Sequence, residues 1–226
     1  NYEKNNHFVA VQEELEAALA TTPNGALLGS SYYRTPFPIS LWIWNAFSGS
    51  ETTFGKWMNS SFGKAPVLMS WVNPALRASV AEEVLRAHGY FRGKVRYDVL
   101  KQSNPKNAKI GYSVDMGTLF TIDSLRYYNF SSVADSLIRA TSDKAIIHNG
   151  DPFDVSTLDA ERNRISNLFR NNGYYYYQPS YASYLADTLS VPGKALLHFQ
   201  MADGIPDKAK HKWYIGNVDL ALSKQF

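Results

Sequence analysis

The segment LFRNNGYYYYQPSYASY, residues 168–184, ends an apolar helical pattern on a glycine and then places four tyrosines in succession. A second segment, VLRAHGYFRGKVRYDVL at 84–100, decides how it is read. Gly89 and Gly173 lie 173 − 89 = 84 residues apart, with Arg86 opposite Arg170 and Tyr90 and Phe91 opposite Tyr174 and Tyr175. Self-similarity at a fixed offset points to like units in series. Further on, IGYSVDMG (110–117) aligns with LLHFQMADG (196–204), so that Gly117 matches Gly204 once the connecting loop grows by three residues. LFTIDSLRYY (119–128) then resembles KWYIGNVDLAL (212–222), with Phe120, Ile122 and Leu125 falling on Trp213, Ile215 and Val218. Strict alternation would give steps of two and two, so the shared step of two and then three predicts a bulge or an early strand end in both copies.

Each copy has the pattern of a small α+β unit. In the first, Asn73 and Pro74 form an N-cap and first-turn pair, and Leu76, Val80 and Val84 follow at four-residue steps with Ala81 and Leu85 beside them. In the second, Ser156 and Asp159 stand at capping-box spacing, and Leu158, Ile165, Leu168 and Phe169 share a face. Gly89 and Gly173 stand where a left-handed residue closes a helix. Two extended runs follow in each copy, with Ile110, Tyr112, Val114 and Met116 alternating in one, and Ala195, Leu197, Phe199 and Met201 in the other. The loops QSNPKNA and ADTLSVPGK make each pair an antiparallel hairpin. A shorter helix precedes each long one, carrying Val11, Leu15 and Leu19 in the first copy and Val133 with Leu137 in the second.

Composition removes several function classes. The 226 residues carry 23 basic and 20 acidic side chains, a balance too even for a nucleic-acid partner. No run approaches the roughly 20 apolar residues of a membrane-spanning helix, and the polar opening NYEKNNHF is read as carrying no signal peptide. With no cysteine, disulfides and thiolate metal sites are excluded. The histidines at 7, 88, 148, 198 and 211 show no metal spacing, and no nucleophile elbow, P-loop or dinucleotide glycine pattern occurs. Asp151 and Asp154 flank a turn proline and read as loop and cap residues. The expectation is a protein without catalytic residues, metal or cofactor.

The order strand, helix, helix, strand, strand, with the glycine and aromatic corner at Gly89, Tyr90, Phe91 and again at Gly173, Tyr174, Tyr175, resembles the POTRA domain. That module is carried in tandem by outer-membrane assembly factors of the BamA and TamA type. PNGALLGSSYYRTPFPISLWIWNAF, VNPALRASVAEEVLRAHGYFRGKVRYDV and FDVSTLDAERNRISNLFRNNGYY are similar, more narrowly, to the translocation and assembly module lipoproteins of Bacteroidetes, the TamL family. The resemblance covers essentially the whole chain, although the anchoring cysteine and the membrane barrel of that family are missing from it. It implies tandem units, each with a three-stranded mixed sheet and two helices on one face. Their bounds would be 1–117 with an aromatic-rich insertion at 29–71, 118–204, and 205–226 as the first strand of a third unit.

The resemblance further implies a periplasmic fragment, outer-membrane-associated through other parts of a longer lipoprotein. Its partners would be a downstream barrel, a TamB-like periplasm-spanning protein and unfolded outer-membrane clients. Binding would be by strand addition at the sheet edges near Val95, Tyr97 and Val99, and near Tyr181 and Ser183. QPSYAS makes the second edge the less regular one.

Two aromatic features have more than one reading. Tyr174 and Tyr175 either wedge helix against sheet, with about half of the tyrosine run buried as a strand alternates, or stack a ligand; wedging is favoured because tyrosine buries its ring while its hydroxyl reaches a polar partner. The insertion holds Trp42, Trp44, Phe47 and Trp57. They are read as an enlargement of the first core or a filling of the joint between units, as a membrane-interface contact, as a grip on clients, or as a carbohydrate-binding surface from a different functional class. Burial is favoured because so much aromatic area is costly to leave wet.

Overall fold

The computed structural model describes residues 2–21, 39–102 and 108–221. The chain divides into two compact units, Asn1–Arg86 with Arg92–Gly117, and Ala87–Phe91 with Thr118–Phe226. Residues 29–38 of the aromatic insertion and most of the QSNPKNA loop lie outside the described residues.

The first unit contains α1 (Tyr2–Leu19), α2 (Ile39–Phe47), α3 (Thr53–Phe62), α4 (Met69–Val72) and α5 (Pro74–Ala87), followed by the hairpin β1 (Lys94–Lys101) and β2 (Ala108–Asp115). Helix α1 buries Val11 and Leu15. Helix α5 starts as its sequence dictates: Pro74 needs no hydrogen-bond acceptor, and the Leu76 N–H donates to Asn73 Oδ1 at 3.2 Å. One turn on, the Arg77 guanidinium donates to the Ala18 and Ala20 carbonyls at 3.2 and 2.7 Å, satisfying acceptors that the end of α1 leaves open. The buried side of α5 is Ala78, Ala81 and Leu85, whereas Leu76 and Val80 face water. Ala81 and Leu85 are thus buried as expected, whereas the Leu76 and Val80 stripe gives the wrong phase, because alanines allow the helix to approach its neighbours closely. Helix α1 begins at Tyr2 and residues 39–47, 53–62 and 69–72 are helical, so among the described residues this unit has two strands, not the expected three.

The second unit contains β3 (Thr121–Tyr128), α6 (Ser132–Ala140), α7 (Val155–Asn171), β4 (Ala182–Asp187), β5 (Lys194–Met201) and a short α8 (Asp207–Lys210). Its sheet is mixed, in the order β3-β5-β4, with β3 parallel to β5 and β4 antiparallel to it. A parallel pair requires a crossover, which α6 and α7 supply. Both helices lie on one face: Ala134 and Ile138 of α6 and Ile165 and Phe169 of α7 enclose Ala182 and Phe199 of the sheet. On α6 the buried residues are one position beyond the expected Val133, which is 49% exposed. The predicted bulge is present in β3, where the register with β5 shifts between Ile122 and Ser124.

Helix α7 is capped by Asp154, whose carboxylate accepts from the Ser156 N–H at 2.8 Å; the expected cap, Ser156, is already inside the helix. Glu161 is fully buried on α7 and is held by the Ile146 N–H at 2.9 Å and by two donors of Arg164 at 2.8 and 2.6 Å. Tyr127 lies in this neighbourhood, and burial, reinforced by the Glu161 charge, pushes its phenol up to about 12. After α8, residues 211–221 form no strand and are exposed. Residues 214–218 therefore lack the ladder that their matched counterparts, 121–125, make with β5.

Candidate functional site

The helix-to-sheet corners recur in detail. Gly89 has φ +84° and Gly173 φ +95°, conformations that side chains with a Cβ resist. The Gly89 carbonyl accepts from the Phe120 N–H at 3.0 Å, and the Gly173 carbonyl accepts from the Trp213 N–H at 2.7 Å. Phe120 and Trp213 are the residues that the repeat pairs. At the first corner Tyr90 is buried, and Phe91 packs against Phe120 and Phe153 with ring centroids 5.2 and 4.8 Å away.

The second corner departs from expectation. No strand follows Gly173; the tyrosines form a turn in which the Tyr177 N–H donates to the Tyr174 carbonyl at 3.0 Å. Tyr174 and Tyr177 are 7% and 3% exposed, Tyr175 and Tyr176 65% and 39%. Half of the run is buried, but by the spacing of a turn and not by strand alternation. Tyr177, not Tyr175, completes the wedge, with its ring edge-on to Phe169 at 4.8 Å.

Backbone direction sorts the candidate edge residues. In β1 the Val95 N–H donates to Glu82 Oε1 at 3.2 Å, away from β2. The Glu82 carboxyl lies below its ordinary value chiefly because it accepts this bond. Alternation along a strand then directs the backbone groups of Tyr97 and Val99 outward as well, while Lys94, Arg96 and Asp98 face β2. Val95, Tyr97 and Val99 thus share one orientation, and Tyr97 and Val99 have side chains 41% and 49% exposed. No described backbone group pairs with the outward groups of Tyr97 or Val99.

In the second unit the two margins differ. The β3 margin is covered near its start by residues 150–153: the Phe153 N–H donates to Phe120 O, the Ile122 N–H to Asp151 O, and the Gly150 N–H to Ile122 O, at 2.9, 2.8 and 2.7 Å. The β4 margin has no described backbone partner on its outer side. Residues 179–181 form a 3₁₀ turn, so the edge begins only at Ala182. Because the Ala202 N–H donates to Tyr181 O, the backbone groups of Tyr181 and Ser183 turn toward β5. The outward groups belong to Ala182, Tyr184 and Ala186, one residue out of phase with those that the sequence suggested.

Among its described residues the aromatic insertion is not a buried core. Helix α2 buries none of its residues; Trp44 and Phe47 are half-buried, and Trp42 and Trp57 are 56% and 53% exposed. The expected enlargement of the first core is not found at these residues. Among the histidines, His88 comes just after α5 and is buried beside Asp154, with Nδ1 2.6 Å from the carboxylate. His198 lies in β5 against Tyr128. Sequence reasoning missed the His88–Asp154 pair, since 66 residues separate its members.

No known family profile matches this chain, and no curated protein matches it either. Among solved structures it is similar to POTRA domains 3–5 of Haemophilus influenzae BamA, with 14% identity, a TM-score of 0.36, and 70% of this chain and 57% of that one covered. It is also similar to Haemophilus ducreyi BamA lacking POTRA domains 1–3, with 15% identity, a TM-score of 0.39, and 70% and 26% covered. The chain thus spans little more than half of one of these proteins and about a quarter of the other. No described helix is long and apolar enough to cross a membrane.

Proposed function

We propose that the chain is a tandem POTRA-like scaffold, the periplasmic protein-interaction part of an outer-membrane assembly factor of the TamL kind, and that it binds extended segments of clients or partners by strand addition. The observation that carries this reading is the outer margin of β1, where Tyr97 and Val99 present their backbone groups away from β2. The β4 margin at Ala182, Tyr184 and Ala186 is a second, shorter site. In this reading a membrane barrel and a TamB-like protein are further partners, and 205–226 begins a third unit. The hydrogen bond from Trp213 to Gly173, which repeats that from Phe120 to Gly89, supports the last point.

The test is photocrosslinking of an extended apolar peptide to the whole chain. Proline at Tyr97 removes an outward N–H and no ladder bond, so crosslinking is lost while circular dichroism is kept. Proline at Arg96 removes a ladder bond and unfolds the hairpin. Undiminished crosslinking in a folded Tyr97→Pro variant refutes edge binding.

A further inference from the structure

Helices α2 and α3 set a row of rings against water. Phe47 meets Phe54, Phe54 meets Trp57 and Trp57 meets Phe62, with centroids 6.2, 6.1 and 5.8 Å apart. Phe54, Trp57 and Phe62 are 64%, 53% and 52% exposed. Contiguous apolar surface of this kind marks a contact site, and its chemistry selects the partner. From Ile39 to Trp71 there are seven aromatic residues and ten Ser, Thr or Asn, but three charges, Glu51, Lys56 and Lys64. Steering and register at a docking surface for another protein come from charged groups placed against opposite charges. This segment offers hydroxyls and amides between its rings and few charges.

The rings also stand edge to face, with interplanar angles of 86° and 83° at the two ends of the row. They form a ridge, not the flat platform on which a sugar stacks. Aromatic residues with neutral polar neighbours suit the depth of a bilayer where headgroups meet acyl chains, where rings bury their faces and charge is unfavourable.

We propose that the α2–α3 hairpin seats in the interface of a bilayer of neutral headgroups, with Phe54, Trp57 and Phe62 entering the boundary. This site is separate from the strand edges and does not depend on them. The test is flotation of the whole chain with phosphatidylcholine vesicles. The chain is expected to float with the vesicles and to stay bound at about 0.5 M salt, where surface electrostatics are screened. Phe54→Ser and Trp57→Ser are each expected to lower partitioning about tenfold, as removal of a half-exposed ring requires. Both side chains are more than half exposed, so circular dichroism should not change; Phe62→Ser serves if either variant misfolds. Three results overturn the proposal: no flotation with neutral vesicles, binding to phosphatidylglycerol vesicles alone that salt abolishes, or light scattering showing a dimer that these variants dissociate while vesicle binding is absent.

Discussion

Replacing Gly89 with alanine tests the corner on which the second unit turns. A Cβ at φ +84° carries a conformational penalty of about 1–2 kcal/mol. It would also lie 2.8 Å from Phe153 O, 3.1 Å from Phe153 Cβ and 3.2 Å from Phe120 O, two of these being backbone atoms that cannot rotate aside. Overpacking of this kind adds about 1–3 kcal/mol. Gly150→Ala supplies the conformational penalty alone, since φ is +92° and nothing lies within 4 Å of the added methyl. Gly173→Ala is intermediate, with φ +95° and its nearest neighbour, Lys212 Cβ, at 3.4 Å. All three belong to the same unit, so one urea transition reports them, and the reduced freedom of the unfolded chain offsets each by a similar amount, about 0.4–1 kcal/mol. The expected order of destabilisation is Gly89 well above Gly173, and Gly173 at or slightly above Gly150, with Gly89→Ala about 1–3 kcal/mol beyond the Gly150 control. If Gly89→Ala unfolds at the same urea concentration as Gly150→Ala, the close approach of 120 and 153 to this glycine is not what fixes the corner.

Asp154→Ala removes the cap of α7 and the carboxylate beside His88, and is expected to destabilise the second unit by about 1–3 kcal/mol in urea melts. Burial by itself raises the Asp154 carboxyl, but the hydrogen bonds from Ser156 and His88 together with the His88 charge outweigh burial and hold it below its ordinary value. Its contribution is therefore complete above the ordinary carboxylate pKa and is lost as pH falls through the lower folded value, and the Asp154→Asn variant should lack that part of the acid limb. The Tyr177 hydroxyl meets no hydrogen-bonding atom among the described residues and burial pushes its pKa up, so Tyr177→Phe should be neutral or stabilising by about 1 kcal/mol. A loss above that value in the same melts would show a hidden partner.

The parts of the fold that backbone geometry imposes on residue type were legible. Gly89 and Gly173 mark helix ends because left-handed φ selects glycine, and the two-then-three spacing of Phe120, Ile122 and Leu125 records a bulge because a strand alternates strictly. Helix phase was less legible. In α5 the stripes Leu76, Val80, Val84 and Ala78, Ala81, Leu85 both have helical spacing, and only the closeness of the neighbouring segment decides that alanine belongs inside. The tyrosine run misled because aromatic residues favour strands, whereas a local hydrogen bond from Tyr177 to Tyr174 closed a turn first. The aromatic insertion could not be sorted by composition, since large rings are what both a core and a contact surface contain.

The β1 and β4 margins are unequal as sites, and magnitudes show why backbone pairing alone is insufficient at either. Once Glu82 has taken the Val95 N–H, Tyr97 and Val99 offer two donors and two acceptors between them on the outer edge of β1. At a net 0.5–1.5 kcal/mol per bond, four bonds yield about 2–6 kcal/mol. Association costs about 4–15 kcal/mol in lost translational and rotational freedom. The surplus has to come from side chains. On β1 it can, because Tyr97 and Val99 on one face and Leu100 on the other are all more than a third exposed and give an incoming strand apolar neighbours. On β4 the outward backbone belongs to Ala182, Tyr184 and Ala186, but Ala182 is 1% exposed, Tyr184 packs into the core against Phe199, and Ala186 is small. An incoming strand finds a ladder there with little apolar surface beside it, so segments alternating apolar residues should engage β1 and glycine-rich or serine-rich segments of equal length should engage neither.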